Sequence, residues 1–159
     1  MQRLFLALLL SVVCVSAAVA RPAIFLVRHA EKAPSGGNDP DLSIAGRQRA
    51  QRLANVLKDA RISAIFVTEL RRTRQTAAPL AQRLGLNPQV IPSNNPALLV
   101  TRLRASSGNI LVVGHSNTIP EIISGLGLPT PLQIGENDFD NLFLLLRDPT
   151  LRLLRLHYQ

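Results

Sequence analysis

LVRHAEK, residues 26–32, decides how the chain reads. An apolar run of strand length, Ala23–Arg28, ends in an arginine and delivers a histidine immediately after it. Far downstream ILVVGHSN, residues 110–117, does the same: the run Asn109–Gly114 feeds straight into His115. Between them TELRRTRQTA, residues 68–77, places Arg71, Arg72 and Arg74 around the start of a helix. In open α/β sheets, ligands collect at the carboxyl ends of strands. Histidines and arginines at such ends point to a pocket for a phosphoryl group, with one imidazole able to attack it.

Working outward, apolar runs of strand length recur at Ala23–Arg28, Ala64–Thr68, Gln89–Ile91, Asn109–Gly114, Leu142–Arg147 and Leu151–His157. Helical stretches fall between the first four and after the fourth: Ser43–Ala60, Arg72–Leu84, Pro96–Ser106 and Thr118–Leu126. In the first of these, Ile44, Leu53, Val56 and Leu57 recur at roughly helical spacing. Strand and helix in alternation predict an α/β fold, a mostly parallel sheet with helices on both faces. Only Asp148-Pro149-Thr150 separates the last two strands, so they form a hairpin. APSGGNDPD, residues 33–41, is a Gly/Pro/Asn loop directly after the Arg-His pair.

The chain has 159 residues, enough for one domain with a core. Arg3, the apolar run LFLALLL and the small-residue ending of SVVCVSAAVA read as an export signal over 1–20, cleaved after Ala20. A retained membrane anchor is the rival reading. The domain is then 21–159, periplasmic or secreted, with no stable membrane anchor after cleavage. Cys14 lies inside the signal, so the rest of the chain has no cysteine for a disulfide, a thiolate nucleophile or thiolate metal ligation. The net charge of +8 comes almost wholly from arginine, since Lys32 and Lys58 are the lysines. The arginines are spread over several helices and aromatics are few. That pattern fits an anionic phosphorylated small substrate better than nucleic acid.

The candidate chemistry starts with His29. To attack phosphorus, one of its ring nitrogens must be unprotonated and the other fixed by a hydrogen bond. Arg28 suits phosphoryl oxygens through a forked geometry that lysine lacks. Gly114 permits a close backbone approach beside His115, whose ring can donate to a phosphoryl oxygen as charge builds. Arg71, Arg72 and Arg74 cannot all face one way, and Arg72 lies near the helix start, where backbone N–H groups also favour an anion.

Four segments in order then resemble the histidine phosphatase superfamily, the phosphoglycerate mutase-like fold: LVRHAEK (26–32), LSIAGRQRAQRLA (42–54), TELRRTRQTAAPLA (68–81) and VVGHSNTIPEI (112–122). Ala30 stands for the glycine of that family's Arg-His-Gly signature, Ser43 for the threonine of its helix entry, and Thr68 for the serine of its third block. The resemblance picks Arg72 as the second phosphate arginine. It implies a three-layer α/β/α sandwich on a six-stranded sheet of order 3-2-4-1-5-6, with strand 5 antiparallel. It implies a phosphohistidine on His29 in a pocket of Arg28, Arg72 and His115, with no cofactor and no metal. On this reading the protein is a phosphohydrolase of phosphate monoesters or of a phosphoprotein.

Two departures matter. Many family members carry a glutamate after the second arginine to protonate the leaving oxygen, but NPQVIPSNNPALLV, residues 87–100, contains no acid. Others place an acid directly after the second histidine, where this chain has Ser116. Glu31 and Glu69 are therefore the candidate proton donors, each close in sequence to a phosphate-site residue. Glu121 is a weaker one, since Thr118-x-x-Glu121 fits a capping box. The missing acid keeps open a low-turnover phosphate-binding or regulatory module on the same fold. A mutase is a further alternative, disfavoured because family mutases enclose the sugar with longer insertions. Glu136, Asp138 and Asp140 in GENDFDNLF, residues 135–143, read as a solvated acidic loop, because ligand-like spacing without a glycine turn or further carboxylates is a weak sign of a cation site. His157 is expected to lie away from the pocket.

Overall fold

The computed structural model describes residues 22–129, 131–147 and 150–159. The export-signal reading of 1–20, with Cys14, lies outside the described residues, as do Asp148 and Pro149 of the expected hairpin turn. Ten elements follow in order: β1 Ala23–Arg28, α1 Ile44–Leu57, β2 Ile62–Val67, α2 Arg71–Leu84, β3 Gln89–Val90, α3 Pro96–Ala105, β4 Asn109–Gly114, α4 Thr118–Gly125, β5 Asn141–Arg147 and β6 Leu151–His157. They build one sheet of order β3-β2-β4-β1-β5-β6. β3, β2, β4 and β1 run parallel to one another, whereas β5 is antiparallel to both β1 and β6. This is the expected sheet order, with the expected antiparallel strand.

Alternation along the central strands fills two cores. Ile24 and Leu26 of β1 join Ile110 and Val112 of β4 against Leu99 and Leu103 of α3 and Ile119, Ile122 and Ile123 of α4. Val27, Leu111 and Val113 point the other way, against Leu53 and Leu57 of α1 and Leu80 of α2. A strand buried on both faces reads as a continuous apolar run, which is how β1 and β4 appear in the sequence. Among the described residues no helix is long and apolar enough to cross a membrane.

Some boundaries move, for identifiable reasons. β2 begins at Ile62 rather than Ala64, across a register shift against β4, and Ile62 is buried. It stops before Thr68, whose N–H donates to the Thr73 hydroxyl at 3.1 Å instead of to a sheet partner. In α1 the buried positions are Gly46, Ala50, Leu53, Ala54 and Leu57, while Ile44 and Val56 are exposed. The helix lies too close to the chain after β1 for large side chains near its start. A β-carbon on Gly46 would strike the Glu31 carbonyl oxygen, so α1 needs glycine there. Ser43 caps this helix, its hydroxyl accepting from the Gly46 N–H at 3.0 Å.

Candidate active site

His29 leaves the end of β1 where Arg28 is in register with Gly114 of β4, and its N–H donates to the Gly114 carbonyl at 2.9 Å. The adjacent parallel strands thus deliver His29 and His115 side by side, their ring centroids 5.4 Å apart and inclined at 62°. Nδ1 of His29 lies 2.7 Å from the Ala30 carbonyl oxygen. That oxygen can only accept, so Nδ1 carries the proton and Nε2 keeps its lone pair. The Ala30 peptide is itself held, its N–H donating to the Thr76 hydroxyl at 2.9 Å, while that hydroxyl donates to the Arg72 carbonyl at 2.7 Å. One buried threonine therefore ties the loop that orients His29 to the helix turn that carries Arg72.

Burial pushes the His29 pKa down from 6.5 to about 3, opposed by the Ala30 hydrogen bond and helped by repulsion from Arg72 and Arg28 and, once it is protonated, from His115. Burial likewise brings His115 to about 4, with Arg72 adding to the effect and Glu69 opposing it. Both rings are neutral at physiological pH. The His115 backbone N–H donates to Thr118 Oγ1 at 3.0 Å, and its Nε2 lies 3.2 Å from Thr68 Oγ1. Thr68 Oγ1 in turn lies 2.9 Å from Thr73 Oγ1. Thr118 is thus the first residue of α4 and serves His115. This corrects the capping-box expectation, in which Thr118 would sit before the helix and pair with Glu121.

Arg28 is only 3% exposed. Its Nη1 donates to the carbonyls of Gly135 at 2.6 Å and Glu136 at 2.9 Å, and Nη2 meets a Glu136 carboxylate oxygen at 3.2 Å. Arg72, in the first turn of α2, lies 3.8 Å from Asp39 in the 33–41 loop. Asp39 also accepts the Arg71 N–H at 2.9 Å, tying the loop to the helix start. The Nε atoms of Arg28 and Arg72 are both buried without a hydrogen-bond partner. A buried donor left unmet costs roughly 1–3 kcal/mol, so two beside one nucleophilic ring mark a place for an anion. Arg71 instead pairs with Asp41 at 2.9 Å in the open, and Arg74 is exposed. Of the three helix-start arginines, Arg72 is the one turned inward.

The acids sort differently. Glu31 is committed to Arg49 of α1, at 2.8 to 3.0 Å. Burial pushes its pKa up, but these hydrogen bonds outweigh it and hold the carboxyl below the ordinary range. The Glu31 carboxylate is thus engaged by Arg49 rather than left unpartnered. Glu69 sits beside Thr68, near enough to His115 to act on its charge. It accepts from the Ser93 N–H at 2.8 Å and the Ser93 hydroxyl at 2.6 Å. Slight burial raises the Glu69 pKa, and the Ser93 hydrogen bonds more than reverse that. Glu121 is exposed on α4. The acidic loop before β5, residues 135–140, is not merely solvated as expected. Asp138 accepts from the Gly135 N–H and Asp140 pairs with His157, but Glu136 reaches the buried Arg28. Phe139 lies over the same guanidinium at 4.4 Å and stands 6.3 Å from the His29 ring. The sequence pattern singled out neither Thr73, Thr76 nor Phe139, and it gave Glu136 only a solvated role. The one available signal was an aromatic residue set in an acidic loop. Among the described residues no group of three or more His, Cys, Asp or Glu side chains is placed to hold a metal ion.

Residues 24–93, which carry His29, both arginines and the first three segments quoted above, match the sequence profile of the histidine phosphatase superfamily (branch 1). Over that stretch, less than half of its 159 residues, the chain is similar to this superfamily. Its fold resembles that of the protein histidine phosphatase SixA, solved with tungstate, at a TM-score of 0.66 and 19% identity over 85% of this chain and 96% of that one. A probable phosphoglycerate mutase of Escherichia coli, GpmB, is 30% identical over 104 residues, 62% of this chain and 44% of the relative. A PE-PGRS family protein of Mycobacterium tuberculosis is 49% identical over 57 residues, 35% of this chain and 10% of that protein. The chain thus spans less than half the length of these curated relatives.

Proposed function

We propose that the chain is a histidine phosphatase superfamily member, a phosphohydrolase acting on phosphate monoesters or a phosphoprotein through a phosphohistidine on His29. The observation that carries this reading is the neutral His29 ring, its Nδ1–H spent on Ala30, beside two arginines whose buried Nε–H groups lack partners. Nε2 attacks phosphorus, the bond from phosphorus to the leaving atom breaks, and the leaving group takes a proton. Water then attacks phosphorus, the N–P bond breaks, inorganic phosphate departs, and a proton returns to solvent. Arg28, Arg72 and His115 surround the phosphoryl oxygens as charge develops on them.

The names of the relatives point both to mutation and to hydrolysis. The acids favour hydrolysis of particular substrates. A sugar phosphate has a poor leaving oxygen that must be protonated as it departs. Glu31 and Glu69 are both held in the charged form by their partners. Aryl phosphates need no such donor, and a phosphorylated imidazole can leave with a proton on its own ring. The site therefore suits leaving groups that depart unaided. The same shortage of a poised acid supports the second reading, a phosphate-binding module of low turnover. We further propose that residues 1–20 direct export, on the charge and apolar pattern described above.

The test is kcat/KM across a series from aryl to alkyl phosphates, for the full chain and for Glu31→Gln, Glu69→Gln and Glu121→Gln. The reading expects a steep fall toward alkyl esters that none of the three substitutions alters. A loss on the order of 10²-fold confined to alkyl esters would make that residue the donor. A phosphoenzyme that forms but decays slowly against all substrates would favour the binding module.

A further inference from the structure

The five N–H groups of Arg28 are not equally available. Both Nη1 hydrogens are taken by the carbonyls of Gly135 and Glu136. Phe139 covers one face of the guanidinium. What remains is the edge formed by Nε and Nη2, which is also the edge that fits two oxygens of a phosphoryl group. Nε is unpaired, but Nη2 is held by the Glu136 carboxylate at 3.2 Å. The two partners differ sharply in setting, because the Arg28 side chain is 4% exposed and that of Glu136 is 86% exposed. The carbonyls and the ring are fixed parts of the fold around Arg28. The carboxylate is free to turn out into water.

An anion arriving at the Nε–Nη2 edge must share Nη2 with this carboxylate or displace it. We propose that Glu136 is a specificity-determining residue, a built-in anion that competes with the phosphoryl group for Arg28 and so weakens the hold of the site on free inorganic phosphate. The proposal rests on the reading of the pocket as a phosphoryl site. A substrate brings contacts through its leaving group that offset the displacement of Glu136. Free phosphate brings none, so the penalty falls on the product, which clears the site.

The experiment is competitive inhibition of aryl phosphate turnover by inorganic phosphate and by vanadate, in the full chain, Glu136→Gln and Glu136→Ala. Glutamine keeps the length and removes the charge, and both substitutions sit at an exposed side chain. Both variants are expected to bind phosphate about ten-fold tighter, as for removal of one like charge a few ångströms away near a protein surface. The gap should narrow as salt rises. A role confined to anchoring the loop predicts the opposite sign, weaker binding, and that result overturns the proposal. Unchanged inhibition overturns it too, as does a loss of kcat confined to alkyl esters, which would make Glu136 a proton donor. Arg28→Ala, or Arg28→Lys if the alanine variant does not fold, separates the two levels of the argument. If it leaves phosphate inhibition unchanged, the pocket reading itself fails. If it weakens phosphate while the Glu136 variants change nothing, only the competition fails.

Discussion

Mild acid should destabilise this protein through its two pocket histidines. His29 and His115 have folded-state pKa values of about 3 and about 4, against an ordinary 6.5 in the unfolded chain. A folded pKa below the unfolded one means that the unfolded state takes up the proton first as pH falls. The stability linked to each ring is therefore fully present above 6.5 and drains away below it, down to about 4 for His115 and about 3 for His29. From about pH 7.5 to about pH 5 the loss is on the order of 2 kcal/mol per ring, or on the order of 4 kcal/mol for the pair. Glu31 and Glu69 titrate below the ordinary carboxylate value of 4.5 in the folded state and contribute little in that window. The assay is urea unfolding at the two pH values in a buffer free of phosphate and sulfate, since a bound anion stabilises the folded state. The comparison is a His29→Gln/His115→Gln variant, judged by its change with pH rather than by its absolute stability. His157 is present in both proteins and cancels. If the double variant loses as much stability as the parent between the two pH values, the rings are not held neutral by the fold.

Other outcomes follow from the same geometry. Arg28→Ala and Arg72→Ala should each lower kcat/KM by roughly 10²–10³-fold, the scale for losing one donor to a developing oxyanion, whereas Arg71→Ala and Arg74→Ala should cost far less. An equal loss at Arg71 or Arg74 would contradict the inward placement of Arg72. Thr76→Val keeps the buried shape but strands the Ala30 N–H, so denaturant titration should show a loss of roughly 1–3 kcal/mol, with reduced turnover as the His29 loop loosens. Unchanged stability and turnover would mean that this hydroxyl does not couple the two segments. Turnover should survive a chelator and be inhibited by vanadate; activity lost in chelator and restored by zinc or magnesium would contradict the metal-free reading.

The sequence made the main lines of this structure legible because they depend on local signals. β1 and β4 announce themselves as unbroken apolar runs, and each ends in the histidine that the pocket needs. Their adjacency came from the family resemblance rather than from any pattern in the residues. The choice of Arg72 over Arg71 and Arg74 likewise came from the resemblance, since α2 starts at Arg71 and position alone does not separate them. Non-local contacts were not legible. Glu31 and Arg49 are 18 positions apart, and only the packing of α1 on the chain after β1 brings them together. Glu136 and Arg28 are 108 positions apart, so an acidic loop looked like a solvated one. The Thr68–Thr73 and Thr76–Ala30 hydroxyl bonds were hidden for another reason. Threonine is so common at helix starts that it carries no signal until its partner is known.

The central claim is that His29 carries the phosphoryl group. The most direct measurement is rapid quenching of the full chain during turnover of a ³²P-labelled aryl phosphate, with peptide mapping of the trapped label. The account predicts acid-labile, base-stable phosphate on His29, absent from His29→Ala although that variant remains folded. Label on another residue, or wild-type turnover by His29→Ala, would contradict it.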